Sequence, residues 1–179
     1  SYCRSEDTDA VFTDVPGLCL AVKTADCIPV LLYDHRLRKV AAIHAGWKGT
    51  VQRIVEKTIE AMRSTGSNLS AIIGPGISLQ SFEVGDEVYE RFLAEGFPMQ
   101  RIAHRWPALS ESPSTQLGKW HIDLWDANAW LLEQCGVRDI HIAGIDTMTS
   151  PMYYSARRET INTGRNYNWI EILDEQSAL

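Results

Sequence analysis

Ile28-Pro29-Val30-Leu31-Leu32-Tyr33, then Asp34-His35-Arg36-Leu37-Arg38-Lys39, then Val40-Ala41-Ala42-Ile43 is the stretch that decides how this chain folds. Two apolar, β-branched runs flank a charged connection, the pattern of two strands joined by a solvated turn. An antiparallel return of this kind sets the start of the first strand beside the end of the second. Those two ends carry Thr24-Ala25-Asp26-Cys27 and His44-Ala45-Gly46-Trp47. A thiol and an imidazole far apart in the chain are therefore expected to be neighbours in space.

Upstream, Val11-Phe12-Thr13 and Leu18 to Val22 read as two further strands around Asp14-Val15-Pro16-Gly17, whose Pro-Gly pair signals a type II turn. Downstream the period changes. Val51, Ile54, Val55, Thr58, Ile59 and Met62 mark one face of a single amphipathic helix running from Thr50 to Ser64-Thr65-Gly66. His44 to Gly49 then lies at a strand-to-helix junction, where free N–H groups favour an anion or a substrate oxygen.

Ala71-Ile72-Ile73 reads as a strand running into the loop Gly74-Pro75-Gly76-Ile77. Val84, Val88 and Phe92 point to a second helix near residues 85–94. The stretch from Gly96 to Gly118 carries Pro98, Pro107 and Pro113 with little periodicity and reads as a surface excursion. Asp123 reads as the N-cap of a third helix with Leu124, Ala127, Leu131 and Cys135 inward and Gly136 closing it. Ile140 to Ala143 and Tyr167 to Ile172 read as the last strands. No repeat and no linker divides the chain, so residues 1–179 are expected to form one domain.

Of the 179 residues, 45% are hydrophobic and 22% charged, enough to bury a core and too apolar for a disordered chain. With 17 Lys+Arg against 23 Asp+Glu the net charge is -6, which argues against a nucleic-acid binder. Nothing approaches the roughly 20 apolar residues of a membrane-spanning helix. Four scattered cysteines without a CxxC pair point to a reducing, cytoplasmic setting. The chain begins at Ser1, close to the first strand, and is expected to continue upstream.

Cys27 and His44 are the donor types that zinc and copper accept. The same pair also reads as a thiolate–imidazole nucleophile, or as a buried cysteine beside a satisfied histidine. Asp26 joins them in the candidate catalytic set. In an extended segment it points to the opposite face, and there it caps a turn instead. Arg157, Arg158 and Arg165 are candidates for holding phosphate or carboxylate, against the alternative of a surface ion-pair cluster. His35 reads as exposed, and His104, His121 and His141 lack ligand-like spacing.

Five blocks in order carry a resemblance: Thr24 to Leu32, Ala42 to Thr50, Ile73 to Ile77, Phe82 to Gly85, and Tyr154 to Arg158 with Thr163-Gly164-Arg165. Together they resemble the laccase-domain family, also called peptidoglycan-editing-factor-like. Its members were first described as bacterial multicopper polyphenol oxidases and later as purine nucleoside phosphorylases with adenosine deaminase activity. The resemblance implies an α/β fold, a four-layer α/β/β/α sandwich, lacking its N-terminal segment here. It also implies a metal site, zinc or alternatively copper, built from Cys27, His44 and an earlier histidine that would lie upstream of Ser1. The family's pocket arginines correspond to Arg157, Arg158 and Arg165. In the segment Gly144 to Thr149 many relatives carry Cys-Thr, and this sequence has no cysteine there.

The implied function is a zinc-dependent purine nucleoside enzyme that phosphorolyses adenosine or inosine and deaminates adenosine. A copper polyphenol oxidase acting on phenols is the alternative. A metal-free Cys-His hydrolase or amidase, and a non-catalytic nucleoside-binding module, are further ones. The partners implied are purine nucleoside and phosphate, with no nucleic acid and no membrane; the oligomeric state is left open.

Overall fold

The structure is a computed structural model that describes residues 8–106 and 118–173. Its elements run β1 (Ala10–Thr13), β2 (Leu20–Thr24), β3 (Ile28–Asp34), β4 (Lys39–Ala45), α1 (Trp47–Val51), α2 (Ile54–Met62), β5 (Leu69–Ile73), β6 (Glu83–Val84), α3 (Asp86–Ala94), α4 (Met99–Ile102), β7 (Ala103–Trp106), β8 (Lys119–Ile122), α5 (Leu124–Gln134), β9 (Asp139–Ile142), α6 (Ala156–Glu159) and β10 (Asn166–Ile170). They form a mixed α/β unit with several sheets, in keeping with the expected class.

The expected hairpin is β3 and β4, antiparallel with Pro29 opposite His44 and Ile28 opposite Ala45. It forms the middle of a five-stranded sheet of order β1-β4-β3-β5-β9, in which only β5 and β9 run parallel. Helix α2 packs on β4 and α5 on β5, while the two-stranded ribbon β10-β2 also packs on β4 and β3. Cover on both faces explains why β3 and β4 read as nearly continuous apolar runs rather than alternating ones. Ile28, Val30, Leu32, Ile43 and Ala45 are fully buried. At the turn, buried Asp34 accepts the N–H groups of Arg36 (2.9 Å) and Leu37 (2.8 Å), which closes it.

The turn at Gly17, where φ is 74°, does not join a hairpin. Strand β1 pairs with β4, and β2 pairs with β10.

The expected single helix from Thr50 to Ser64-Thr65-Gly66 is two helices, α1 and α2, the second ending at Met62. Arg53 sits between them in the left-handed region with φ 60°. Tertiary contacts override the local periodicity: the Arg53 guanidinium reaches Glu56 (2.8 Å) and the Glu95 carbonyl (3.0 Å), and lies over the rings of Phe97 and Trp130. Val51, Val55, Ile59 and Met62 remain buried on one side, so the apolar spacing reported the face and not its continuity.

The region read as a surface excursion is also corrected. Phe97, Met99 and Ile102 are buried, and α4 and β7 occupy residues 99–106. Arg101 ties α4 to α5 through Asp126 (2.6 Å) and Glu133 (2.7 Å). Strands β6, β8 and β7 form a third sheet. The rest of that excursion, residues 107–117, lies outside the described residues. Helix α5 starts as expected, with the Asp123 carboxylate accepting the Asp126 N–H at 2.9 Å, and Gly136 ends it at φ 82°.

Candidate active site

Position 27 immediately precedes β3 and His44 is the penultimate residue of β4, so the hairpin register delivers sulfur and imidazole to the same end of the sheet. The imidazole hydrogen-bonds Cys27. Its Nδ1 meets the Asp9 carboxylate at 2.9 Å, and the His44 main-chain N–H donates to the Asp9 carbonyl at 2.7 Å. The hydrogen bond to Cys27 raises the His44 pKa to about 9; burial opposes this, and the charge of Cys27 and the contact with Asp9 add to it. With Nδ1 held by a carboxylate, Nε2 is the nitrogen left for a metal or a thiolate, an orientation typical of metal-ligating histidine.

Cys27 also lines a cavity of about 310 Å³ together with Trp47, Ile77, Phe82, Leu124 and Arg157. Its walls are mostly apolar and aromatic, with a few polar groups, the general character of a small-molecule site. Trp47 opens α1 directly after the N-cap Gly46. Ile77 and Phe82 belong to the Gly-Pro loop after β5. That loop is pinned by Asp146, which accepts from the hydroxyls of Ser78 (2.9 Å) and Ser81 (2.6 Å) and from the Met148 N–H (3.0 Å).

Asp26 does not sit in an extended segment. Its φ is 87°, and its carboxylate is buried at the cavity wall, accepting the Thr147 hydroxyl at 2.7 Å and the Arg157 main-chain N–H at 2.6 Å. The three arginines occupy different settings. Arg157 lines the cavity, with its guanidinium over the Phe82 ring and Nη1 donating to the Glu83 carbonyl at 3.1 Å. Arg158 lies at the surface, pairs with Glu159, and donates to the carbonyls of Thr147, Met148, Ser150 and Tyr153. Arg165 donates to the carbonyls of Ile161, Thr163 and Gly164 in its own loop. Only Arg157 of the three lines this cavity.

The remaining histidines are placed elsewhere. His35 meets Ser70 and His141 meets Asp139 on the surface, while His104 and His121 face each other across β7 and β8.

Cys27 and His44 together fit two positions of a zinc or copper site: one sulfur, one nitrogen, and a carboxylate behind the imidazole. Among the described residues no group of three His, Cys, Asp or Glu is placed to hold a metal. The residues that sequence reasoning missed are Asp9, Thr147, Ser78 and Ser81. Asp9 is recognisable only once β1 is known to pair with β4, because that pairing sets it beside His44.

A family profile described as "Multi-copper polyphenol oxidoreductase laccase" matches residues 2–173. Among curated relatives, a "Purine nucleoside phosphorylase" of Bacteroides thetaiotaomicron is 45% identical over 92% of this chain and 60% of its own length. One of the same name from Deinococcus radiodurans is 41% identical over 88% of this chain and 58% of its own length. "Adenosine deaminase RL5", from an unknown prokaryotic organism, is 39% identical over 92% of this chain and 62% of its own length. Among solved structures, Neisseria meningitidis protein NMB0706 superposes with a TM-score of 0.81 at 31% identity, covering 94% of this chain and 66% of that one. YlmD from Geobacillus stearothermophilus gives 0.77 at 28% identity, covering 93% and 61%. The chain spans about three fifths of the length of these curated relatives. By the profile match over residues 2–173, this chain belongs to the multi-copper polyphenol oxidoreductase laccase family.

Proposed function

We propose that the protein is a zinc-dependent purine nucleoside enzyme that phosphorolyses adenosine or inosine and deaminates adenosine. The observation that carries this reading is the Cys27–His44 pair, oriented by Asp9, at a mostly apolar cavity that also presents Arg157. The names of the relatives support it.

Cys27 and His44 would hold the metal. When bound, zinc supplies Lewis-acid activation of water near neutral pH. Trp47 and Phe82 provide flat walls against which a purine ring can lie, and Ile77 and Leu124 exclude water from that side. Arg157 offers a guanidinium fork to the phosphate dianion. In phosphorolysis a phosphate oxygen bonds C1′ as the C1′–N9 bond breaks, and the departing base takes up a proton. In deamination water adds at C6 and ammonia leaves.

The family's four-layer α/β/β/α order belongs to the same reading. It is supported by helices α2 and α5 packing on the five-stranded sheet and the β10-β2 ribbon lying on β3 and β4. A cytoplasmic setting is supported by the free thiols of Cys19, Cys27 and Cys135. No helix among the described residues is long and apolar enough to cross a membrane.

The test is to incubate the full-length protein with adenosine and phosphate and to measure adenine, inosine and ribose 1-phosphate. Product above that of a Cys27→Ala control is expected, and none above it would refute the reading. The family description favours a second reading, copper-dependent oxidation of phenols, which predicts oxygen uptake on a phenol by the copper-loaded protein. A metal-free Cys27–His44 hydrolase predicts instead that alkylation abolishes activity while a chelator leaves it intact.

A further inference from the structure

We propose that Asp26 is a positioning residue that fixes Arg157 at the cavity wall and thereby governs recognition of the anionic co-substrate, without taking part in attack on the purine ring. This rests on the phosphorolysis-and-deamination reading above.

Asp26 lies between the Thr24-Ala25 segment and Cys27 with φ 87°, a region that asparagine and aspartate enter more readily than most side chains. That backbone turns its carboxylate toward the chain's later loops. One oxygen accepts the Thr147 hydroxyl at 2.7 Å and the other accepts the Arg157 N–H at 2.6 Å. Its own carbonyl accepts the Ile77 N–H at 2.8 Å. The residue is 9% exposed, and both carboxylate oxygens are already engaged by protein donors. This is the setting of a group that orients others, and not of a proton carrier waiting for substrate.

Thr147 is in turn immobilised. It is fully buried, its N–H donates to the Gly76 carbonyl at 3.0 Å, and its carbonyl accepts from Arg158. Asp26 therefore stands on a fixed support. The Arg157 N–H belongs to the first turn of α6, where an amide has no partner within its own helix, so Asp26 supplies the acceptor. The charged acceptor makes that bond stronger than a neutral one. With the main chain held by Asp26 and the guanidinium held by the Glu83 carbonyl and the Phe82 ring, Arg157 presents its remaining donors in one place. Phosphorolysis needs an anion there, whereas deamination does not.

The experiment uses full-length, zinc-loaded protein and the variants Asp26→Asn, Thr147→Val and Thr147→Ser. Asparagine tolerates the same φ and can keep the Arg157 N–H on its amide oxygen while its NH2 donates to the Thr147 hydroxyl, so the substitution removes the charge of the acceptor and weakens the bond to Arg157. Asp26→Asn is expected to raise the KM for phosphate about tenfold or more, an effect at least about fivefold larger than any fall in kcat for adenosine deamination. Thr147→Val shifts the phosphate KM in the same direction, and Thr147→Ser restores it. An unchanged phosphate KM, or a fall in both activities together, would overturn the proposal.

Hydrogen exchange at the Arg157 amide reads the same bond without substrate. Faster exchange in Asp26→Asn, with β3 amides unaffected, is expected, and unchanged exchange overturns the proposal. Wild-type protein that turns over neither substrate would refute the enzymatic reading and leave this second measurement decisive for the placement of Arg157. Thr147→Val carries both measurements if Asp26→Asn does not fold.

Discussion

The Cβ that Gly46 lacks would stand 3.0 Å from the sulfur of Cys27. The thiol occupies the space that any other residue at position 46 would fill. Gly46 has φ -69°, so alanine is compatible with the backbone and the conflict is with sulfur alone. Gly46→Ala is expected to displace the thiol by a few tenths of an ångström and to lower bound zinc per chain, with a thermal midpoint close to wild type. Metal analysis by mass spectrometry beside a thermal melt checks both halves of the statement.

Asp9 holds the His44 ring by one nitrogen. An outer carboxylate of this kind commonly accounts for about 10-fold to 100-fold in metal affinity. Asp9→Asn in the full-length protein should weaken zinc binding by about that factor, measured by chelator competition. Unchanged affinity would show that the ring needs no such anchor.

Arg157 and Arg158 are adjacent in sequence and opposite in consequence. Removing the Arg158 side chain strips donors from the carbonyls of Thr147, Met148, Ser150 and Tyr153, so Arg158→Ala should cost about 2 kcal/mol of stability. Arg157→Ala should leave the melting temperature nearly unchanged and raise the phosphate KM. Denaturant unfolding of both variants, run beside phosphorolysis kinetics, separates the two roles.

Asp146 predicts an acid limb in the stability curve. Burial pushes its pKa up, but the Ser81 and Ser78 hydroxyls and the N–H groups of Met148 and Ser78 outweigh burial and hold the carboxyl below its ordinary value of 3.8. A folded value below the unfolded one means that the stabilisation is complete above the unfolded value and is lost as pH falls through the folded one. Asp146→Asn should be less stable than wild type by about 1–3 kcal/mol at neutral pH. The difference should shrink below about pH 4, as urea unfolding across that range would show.

The hairpin, the third helix and the proximity of Cys27 to His44 were legible because each rests on local chemistry. Alternating turn and apolar signals specify β3 and β4, an Asx cap specifies the start of α5, and antiparallel pairing brings the ends of a hairpin together whatever surrounds it. The break at Arg53 was not legible, since the rings that hold its guanidinium come from Phe97 and Trp130, far along the chain. Strands β7 and β8 were hidden for a similar reason: each is only four residues long, too short to carry a clear alternation of its own, and they are recognisable by their pairing with each other.

By itself the sequence determined the β3–β4 hairpin and with it the sulfur–nitrogen pair, because these depend on residue types at short spacings, while the α/β class and the family came from the resemblance of its five blocks to known proteins. Tertiary structure alone decided which arginine reaches the cavity, that Asp26 turns back to bind Thr147 and Arg157, and that Asp9 stands behind His44. Those relationships join residues more than thirty positions apart, and spacing along a chain carries no information about which distant loops the packed core will bring into hydrogen-bonding distance.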